Sequence, residues 1–309
     1  MRTGFIYDDV YLRHDYPDHP ERKERLVSVV NHLEREGLLK ETVSIKPRRA
    51  TPEEVALNHD TSYIQEIHDF CASGGGFLDP DTYAGEESYE VALTAVGAVL
   101  EGIDRIVSGE VDAVFCAVRP PGHHAEYAKA MGFCLFNNIA VGARYARKKG
   151  LNKVFIVDFD AHHGNGTQKS FYEDDSVFYF STHQYPFYPG TGSPQERGAG
   201  KGEGYTLNVP MRAGAGDEDY EPVYTKLLPK TVRDFSPDII LVSAGYDLHS
   251  DDPLTYLNVS TEGVRKIVRS ILRTAKDLGI PVLFALEGGY NLRALGECVV
   301  VTIEEMVGV

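Results

Sequence analysis

Lys153-Val-Phe-Ile-Val-Asp-Phe-Asp-Ala-His-His-Gly-Asn-Gly-Thr167 begins as a short apolar run and ends in acids, histidines and glycines. Val154 to Val157 has the length and composition of a buried strand. Side chains on a strand repeat every two residues, so Asp158, Asp160 and His162 point the same way if the strand stays straight. At the carboxyl end of a parallel strand this places them where open α/β sheets hold their sites. Asp-x-His supplies an oxygen and an imidazole nitrogen, a suitable pair for zinc or another first-row divalent metal. The alternative is a polar strand end lying in solvent.

The rest of the chain repeats this grammar. Residues 4–7, 43–46, 111–118, 177–180, 205–209, 239–242 and 282–286 read as further strands. Helices are expected from Pro20 to Gly37, over 61–71, 88–107, 138–149, near 167–173, and over 219–235, 260–278 and 292–307. Leu26, Val29, Val30 and Leu33 mark one face of the first helix. Thr51 and Glu54 form a capping-box start for a brief helix, and Asn137 or Asn138 is the cap expected for the helix at 138. Residues 8–21, 77–87 and 183–204 read as loops. Continuous apolar strands alternating with helices predict a parallel sheet covered on both faces, in one α/β domain over residues 1–309. Four strands end in chemistry-bearing residues: 119–124, 158–166, 243–249 and 287–290. A parallel sheet gathers such ends on one edge.

With 309 residues, 42% of them hydrophobic, the chain can bury a sizeable core. A net charge of −15 argues against nucleic-acid binding, which needs a basic face, and an acidic surface favours cationic substrates by steering. Cys71, Cys116, Cys134 and Cys298 form no C-x-x-C pair, which excludes a cysteine zinc knuckle and suggests free thiols in a reducing compartment. No apolar run reaches the length of a membrane span. Met1 leads straight into Gly-Phe-Ile-Tyr with no signal-peptide pattern, so the expected location is cytoplasmic.

Asp160 and His162 need a third ligand, and Asp247 follows a buried strand in a Gly-Tyr-Asp turn. Two carboxylates and one imidazole leave a coordination position open, as in catalytic zinc sites; otherwise Asp247 is a loop cap. His123 and His124 follow the stiff Pro120-Pro121-Gly122. Both could ligate metal, but beside a three-ligand site they suit acid–base work better. The other reading is a pair of surface histidines. Asp158 and Asn165 are natural partners for the far N–H groups of the two imidazoles. Tyr290, after Gly288-Gly289, could serve as an oxyanion donor or be an ordinary tyrosine.

Together, Arg119-Pro-Pro-Gly-His-His-Ala125, Gly132-Phe-Cys-Leu-Phe-Asn-Asn138, Asp158-Phe-Asp-Ala-His-His-Gly-Asn-Gly166, Pro189-Gly-Thr-Gly192, Ser243-Ala-Gly-Tyr-Asp247 and Glu287-Gly-Gly-Tyr290 resemble the zinc-dependent histone deacetylase family. That family includes acetylpolyamine amidohydrolases and acetoin-utilisation proteins. His19-Pro-Glu21 extends the resemblance towards the amino terminus. It implies an arginase/deacetylase-type α/β fold and removal of acetyl or another short acyl from a lysine or similar primary amine. It implies one catalytic Zn2+ on Asp160, His162 and Asp247, with His124 as general base, His123 as its electrostatic partner and Tyr290 polarising the carbonyl. Gly132, Phe133 and Tyr188 would line the substrate channel. A structural K+ or Na+ is implied at Asp158, Asp160, His162 and Ser181, and a second around Phe171, Asp174 and Val177. Asn165 stands where one branch has aspartate, as in the class II-like branch. A neutral partner stabilises imidazolium less and predicts a lower pKa for the base. Tyr188 stands where phenylalanine is frequent.

A binuclear manganese ureohydrolase shares this fold but needs more carboxylates than this pattern offers. An inactive acyl-lysine reader would lack a catalytic position, and none is missing. Acetyl-lysine proteins and acetylpolyamines both suit an acidic protein. The absence of a long insertion able to close the channel leans towards peptides or small amides with open access.

Overall fold

In the computed structural model, which describes residues 1–308, ten strands and ten α-helices alternate along the chain. The strands are β1 (Thr3–Ile6), β2 (Val43–Ile45), β3 (Gly76–Phe77), β4 (Tyr83–Ala84), β5 (Ala113–Cys116), β6 (Val154–Asp158), β7 (Val177–Gln184), β8 (Thr206–Met211), β9 (Ile239–Ala244) and β10 (Val282–Leu286). The helices are α1 (Glu24–Arg35), α2 (Pro52–Val55), α3 (Thr61–Ala72), α4 (Ser88–Val107), α5 (Asn138–Lys148), α6 (Asn165–Phe171), α7 (Asp217–Pro222), α8 (Leu228–Phe235), α9 (Thr261–Leu278) and α10 (Leu292–Gly308).

Eight strands form one sheet in the order β2-β1-β5-β10-β9-β6-β7-β8, and every pairing in it is parallel. Every residue of β5, β10, β9 and β6 is buried, as expected of strands covered on both faces. α4 packs on β5 and β10 and meets α5, while α1, α10 and α9 pack one against the next as a second layer. The small residues of α4, among them Ala92, Ala95 and Ala98, are buried and allow close packing. The four strands whose ends carry the sequence motifs are neighbours at the centre of the sheet. Their carboxyl ends therefore meet.

Several boundaries moved for identifiable reasons. The first helix starts at Glu24 rather than at Pro20, because Glu21 turns inward and is buried. Residues 77–87 contain all but the first residue of a small antiparallel hairpin, β3 with β4, whose turn is set by Asp79 Oδ1 accepting the N–H groups of Asp81 and Thr82. β7 continues four residues past Phe180: Ser181 to Gln184 are polar, but pairing with β8 satisfies their backbone inside the protein. The helix expected over 219–235 begins at Asp217 and contains a wide turn over Val223–Leu227, just before Pro229, which has no N–H to donate. The capping box at Thr51 and Glu54 and the Asn137 cap both form.

The inward turn of Glu21 builds a buried ion cluster. Its carboxylate accepts from Arg119 Nε and Nη2, each at 2.7 Å, and from Arg25 Nη1 at 2.8 Å. Arg25 and Arg119 are both fully buried. Burial raises the Glu21 pKa, but Arg119 and Arg25 more than reverse this and hold the carboxyl well below its ordinary range. The stabilisation is complete above the ordinary value of 4.5 and is lost as pH falls through the lower folded value. Glu21→Gln leaves two buried guanidiniums short of an anion and is expected to cost about 3–5 kcal/mol. Urea unfolding near neutral pH measures this loss, and an unchanged midpoint would contradict the cluster's role.

Candidate active site

β6 delivers Asp158 at its last residue, and the chain then bends so that Asp160 and His162 face the end of β9. Backbone N–H groups fix the outer carboxylate oxygens. Gly288 N donates to Asp160 Oδ2 at 2.8 Å, and Ala161 N donates to Asp247 Oδ1 at 2.8 Å. The inner oxygens, Asp160 Oδ1 and Asp247 Oδ2, lie 3.2 and 2.9 Å from His162 Nδ1. Asp160, His162 and Asp247 are the one group of three potential metal ligands among the described residues, with donor atoms within 4.8 Å of one another. Close approach here requires glycine: a Cβ on Gly245 would fall 1.9 Å from Asp160 Oδ2.

This donor set fits a divalent cation. Two fully buried carboxylates converge on an imidazole nitrogen, and no lysine or arginine pairs with either among the described residues. An imidazole presenting its Nδ1 lone pair would face two acceptors, so either a proton on Nδ1 or a cation must stand between the three atoms. Burial lowers the His162 pKa, but Asp247 and Asp160 outweigh it and push it up to about 10.

The two neighbouring histidines hang from the turn after β5. Glu287, at the end of β10, accepts from Gly122 N at 2.7 Å, His123 N at 3.1 Å and Ser243 Oγ at 3.0 Å, tying the turn to β9 and β10. Burial raises the Glu287 pKa to about 7. His123 Nδ1 lies 3.0 Å from Asp158 Oδ2, and His124 Nδ1 lies 2.8 Å from Asn165 Oδ1. Burial lowers both imidazole pKa values. Around His123 it is overturned by Asp158, Asp160 and Glu287, which hold the ring protonated well above its ordinary pKa. Around His124 it is reinforced by His123 and His162, and the pKa falls well below its ordinary value.

A cavity of about 280 Å³ opens above these groups, lined by His123, His124, Asp160, His162, Gly132, Phe133, Phe187, Tyr188, Leu254, Gly288, Tyr290 and, at its exposed edge, Asp81. Tyr188 meets His124 edge-on at 5.3 Å, and Phe133 meets Tyr290 edge-on at 5.7 Å. Gly132 has φ 58°, and a Cβ there would fall 2.3 Å from His124 Cδ2. The Arg25 guanidinium lies 5.0 Å from the Tyr290 ring centroid and donates to the carbonyls of Glu287 and Gly289, while Tyr290 N donates to Asp252 Oδ2. Burial raises the Tyr290 pKa well above its ordinary value, against the pull of Arg25, so the phenol keeps its proton.

Thus Asp160, His162, Asp247, His123, His124, Asp158, Asn165, Gly132, Phe133, Tyr188 and Tyr290 come together around one cavity. Asp158 Oδ2 is bound by His123 and by the Tyr179 hydroxyl, and its Oδ1 accepts from Asp160 N; it does not join the three donors. The nearby His249 lies against Thr261 Oγ1, and His163 is held by Thr191 and Gln168. Ser181 pairs with Asp158 across the sheet. Phe171, Asp174 and Val177 flank the turn between α6 and β7, away from this cavity, and Asp174 binds Ser176 and Arg147 there. Sequence reasoning had not assigned Phe187, which stacks on His162 at 5.5 Å, nor the positioning contacts of Glu287, Arg25 and Asp252. Only Glu287 carried a signal, as the first residue after an apolar strand.

A sequence profile of the histone deacetylase domain matches residues 19–306. The chain belongs to the histone deacetylase family. A protein named probable deacetylase from Archaeoglobus fulgidus is 39% identical over 296 residues, covering 94% of this chain and 82% of that one. Histone deacetylase 14, chloroplastic, from Arabidopsis thaliana is 39% identical over 318 residues, covering 96% and 75%. The crystal structure of the HDA15 HD domain matches with a TM-score of 0.94 at 37% identity, over 99% of this chain and 88% of that one. The deacetylase resemblance and the α/β fold expected from sequence therefore stand. Membership of this family points to a hydrolase acting on an acylated amine. No helix among the described residues is long and apolar enough to cross a membrane.

The ligand set is tested by metal content. Asp247→Ala removes one inner oxygen and is expected to leave well under one equivalent of divalent metal after dialysis, against about one for the unaltered protein. An Asp247→Ala protein that retains a full equivalent by atomic emission would refute the assignment.

Proposed function

We propose that the chain is a zinc-dependent deacetylase that removes acetyl, or another short acyl group, from a lysine side chain or similar primary amine. The observation that carries this reading is the convergence of two anchored carboxylates and an imidazole beneath a narrow channel that also holds a neutral and a charged histidine. A divalent ion held by Asp160, His162 and Asp247 would polarise the acyl carbonyl and lower the pKa of a water from about 15.7 towards roughly 7. The presence of one donor cluster rather than two among the described residues favours this over a binuclear ureohydrolase.

His124 accepts the proton of the attacking water. Its low pKa leaves the ring neutral, and its Nδ1–H donates to Asn165 Oδ1, so Nε2 carries the free lone pair. Glu126 supports that tautomer by accepting from Asn165 Nδ2 at 2.7 Å, which orients the amide with its oxygen towards His124. His123, charged between Asp158 and Asp160, stabilises negative charge that develops beside it. The Tyr290 hydroxyl donates to the oxyanion of the tetrahedral intermediate. The departing amine takes its proton from His124 or His123, and the products are a carboxylate and a free amine. Phe133 and Tyr188 form walls for the alkyl chain, and Asp81 at the edge attracts a cationic substrate, whether an acyl-lysine peptide or an acetylpolyamine.

A K+ or Na+ beside Asp158, Asp160, His162 and Ser181 belongs to this proposal, supported by the pairing of Asp158 with Ser181. The second cation, around Phe171, Asp174 and Val177, has less support, since Asp174 already pairs with Arg147. A cytoplasmic location rests on four free, buried thiols.

Tyr290→Phe is expected to lower kcat on an acetyl-lysine peptide by about 10² to 10³ with metal content unchanged; undiminished turnover would remove Tyr290 from the mechanism. Asp81→Asn is expected to raise KM for cationic substrates and leave kcat nearly unaltered. Parallel assays on acetyl-lysine peptides, other acyl-lysines and acetylated polyamines with defined metals identify the substrate class.

A further inference from the structure

A second cavity, of about 510 Å³, lies beside α5 and α6, walled by Asn58, Glu126, Tyr127, Ala128, Lys129, Arg144, Lys169 and Ser170. It holds three cationic side chains and one carboxylate in a chain whose net charge is −15. Lys169 Nζ lies 2.7 Å from Glu126 Oε1. Arg144 and Lys129 form no ion pair among the described residues. Arg144 is fixed rather than free: Nε donates to Asn58 Oδ1 at 3.0 Å, Nη2 donates to Ser170 O at 2.7 Å, and the guanidinium lies 4.9 Å from the Phe171 ring centroid. Asn58 is 3% exposed, and its Nδ2 has no hydrogen-bond partner. A preoriented guanidinium beside an unpaired lysine, in a cavity whose one carboxylate is already held by Lys169, is the arrangement that recognises an oxyanion.

We propose that this cavity binds a phosphate group and that its occupancy is transmitted to His124. The route is continuous. Glu126 Oε1 accepts from both Lys169 Nζ and Asn165 Nδ2, and Asn165 Oδ1 accepts from His124 Nδ1. A phosphate dianion competes with Glu126 for Lys169. A Glu126 released from Lys169 bonds the Asn165 amide differently and alters how firmly the imidazole is held. Three cations suit a dianion better than a single-charge carboxylate, so acetate serves as the competing probe. The binding step is independent of the proposed deacetylase function, whereas the transmission step rests on it.

Calorimetric titration of the full chain with inorganic phosphate, at ionic strength held constant with chloride, tests the site. Saturable binding is expected, with acetate weaker. Lys129→Gln, at an exposed position, should weaken phosphate affinity by about tenfold, in line with the loss of a charged contact. Arg144→Gln should weaken it at least as much where the variant folds. Phosphate binding that Lys129→Gln leaves unchanged, or that chloride reproduces, overturns the site. Phosphate should also change kcat on an acetyl-lysine peptide, and Lys169→Gln should abolish that response. Binding without any effect on kcat overturns the transmission. Binding by a protein inactive on every acylamide would count against the deacetylase reading and leave the phosphate site standing.

Discussion

Buried negative charge is the constraint on which the centre of this molecule depends. Asp158, Asp160, Asp247 and Glu287 are each at most 1% exposed, at the ends of three adjacent strands. Carboxylates this close and this dry destabilise one another unless cations or N–H groups compensate them. The fold supplies both. Backbone amides of Ala161, Gly288, Gly122 and His123 take oxygens of Asp247, Asp160 and Glu287, the Ser243 hydroxyl takes the other oxygen of Glu287, and imidazoles stand against Asp158, Asp160 and Asp247. What remains uncompensated is a single point between Asp160, His162 and Asp247. A place suited to a cation here is the residue of an otherwise satisfied electrostatic arrangement.

Holding that arrangement needs rigidity beyond the sheet. The segment after β10 carries Glu287, Gly288 and Tyr290, three groups with different tasks, on four residues of irregular chain. Arg25 grips it from beneath through the carbonyls of Glu287 and Gly289. Arg25 is held in turn by Glu21, and Glu21 by Arg119, the residue that opens the turn bearing His123 and His124. One buried carboxylate thus ties the Tyr290 segment to the histidine turn. The same logic explains why α1 begins late: residues 20–23 give up helical bonds so that Glu21 can reach both guanidiniums.

The parallel sheet was legible because each central strand is an uninterrupted apolar run, and the gathering of Asp160, His162 and Asp247 followed from where those runs end. The polar half of β7 was not legible: Ser181 to Gln184 look like loop until β8 is known to lie beside them. Glu21 and Arg25 were also opaque. Charged residues on a polar stretch and an amphipathic helix read as solvated, and only the three-dimensional path brings them under Tyr290. Asp79, Asp81 and Thr82 contain a turn signal, but no periodicity says that the turn faces the cavity. Local pattern reveals elements and their ends; partners far apart in the chain stay hidden.

The contrast between the two adjacent imidazoles shows how much a partner decides. His123 and His124 share a turn, their rings are 4.0 Å apart, and both are buried. Burial drives both towards neutrality. Asp158 gives His123 a full negative charge to lie against, and Asn165 gives His124 only a dipole. One ring therefore keeps its proton and the other loses it, and the charge on the first further discourages charge on the second. An aspartate at position 165 would weaken that division by supporting a proton on both rings. The amide also has two ends, and Glu126 selects which one His124 meets. Glu126 is in turn held by Lys169, more than half exposed on α6. The tautomer of the proposed base is therefore set by a chain of contacts that reaches the surface.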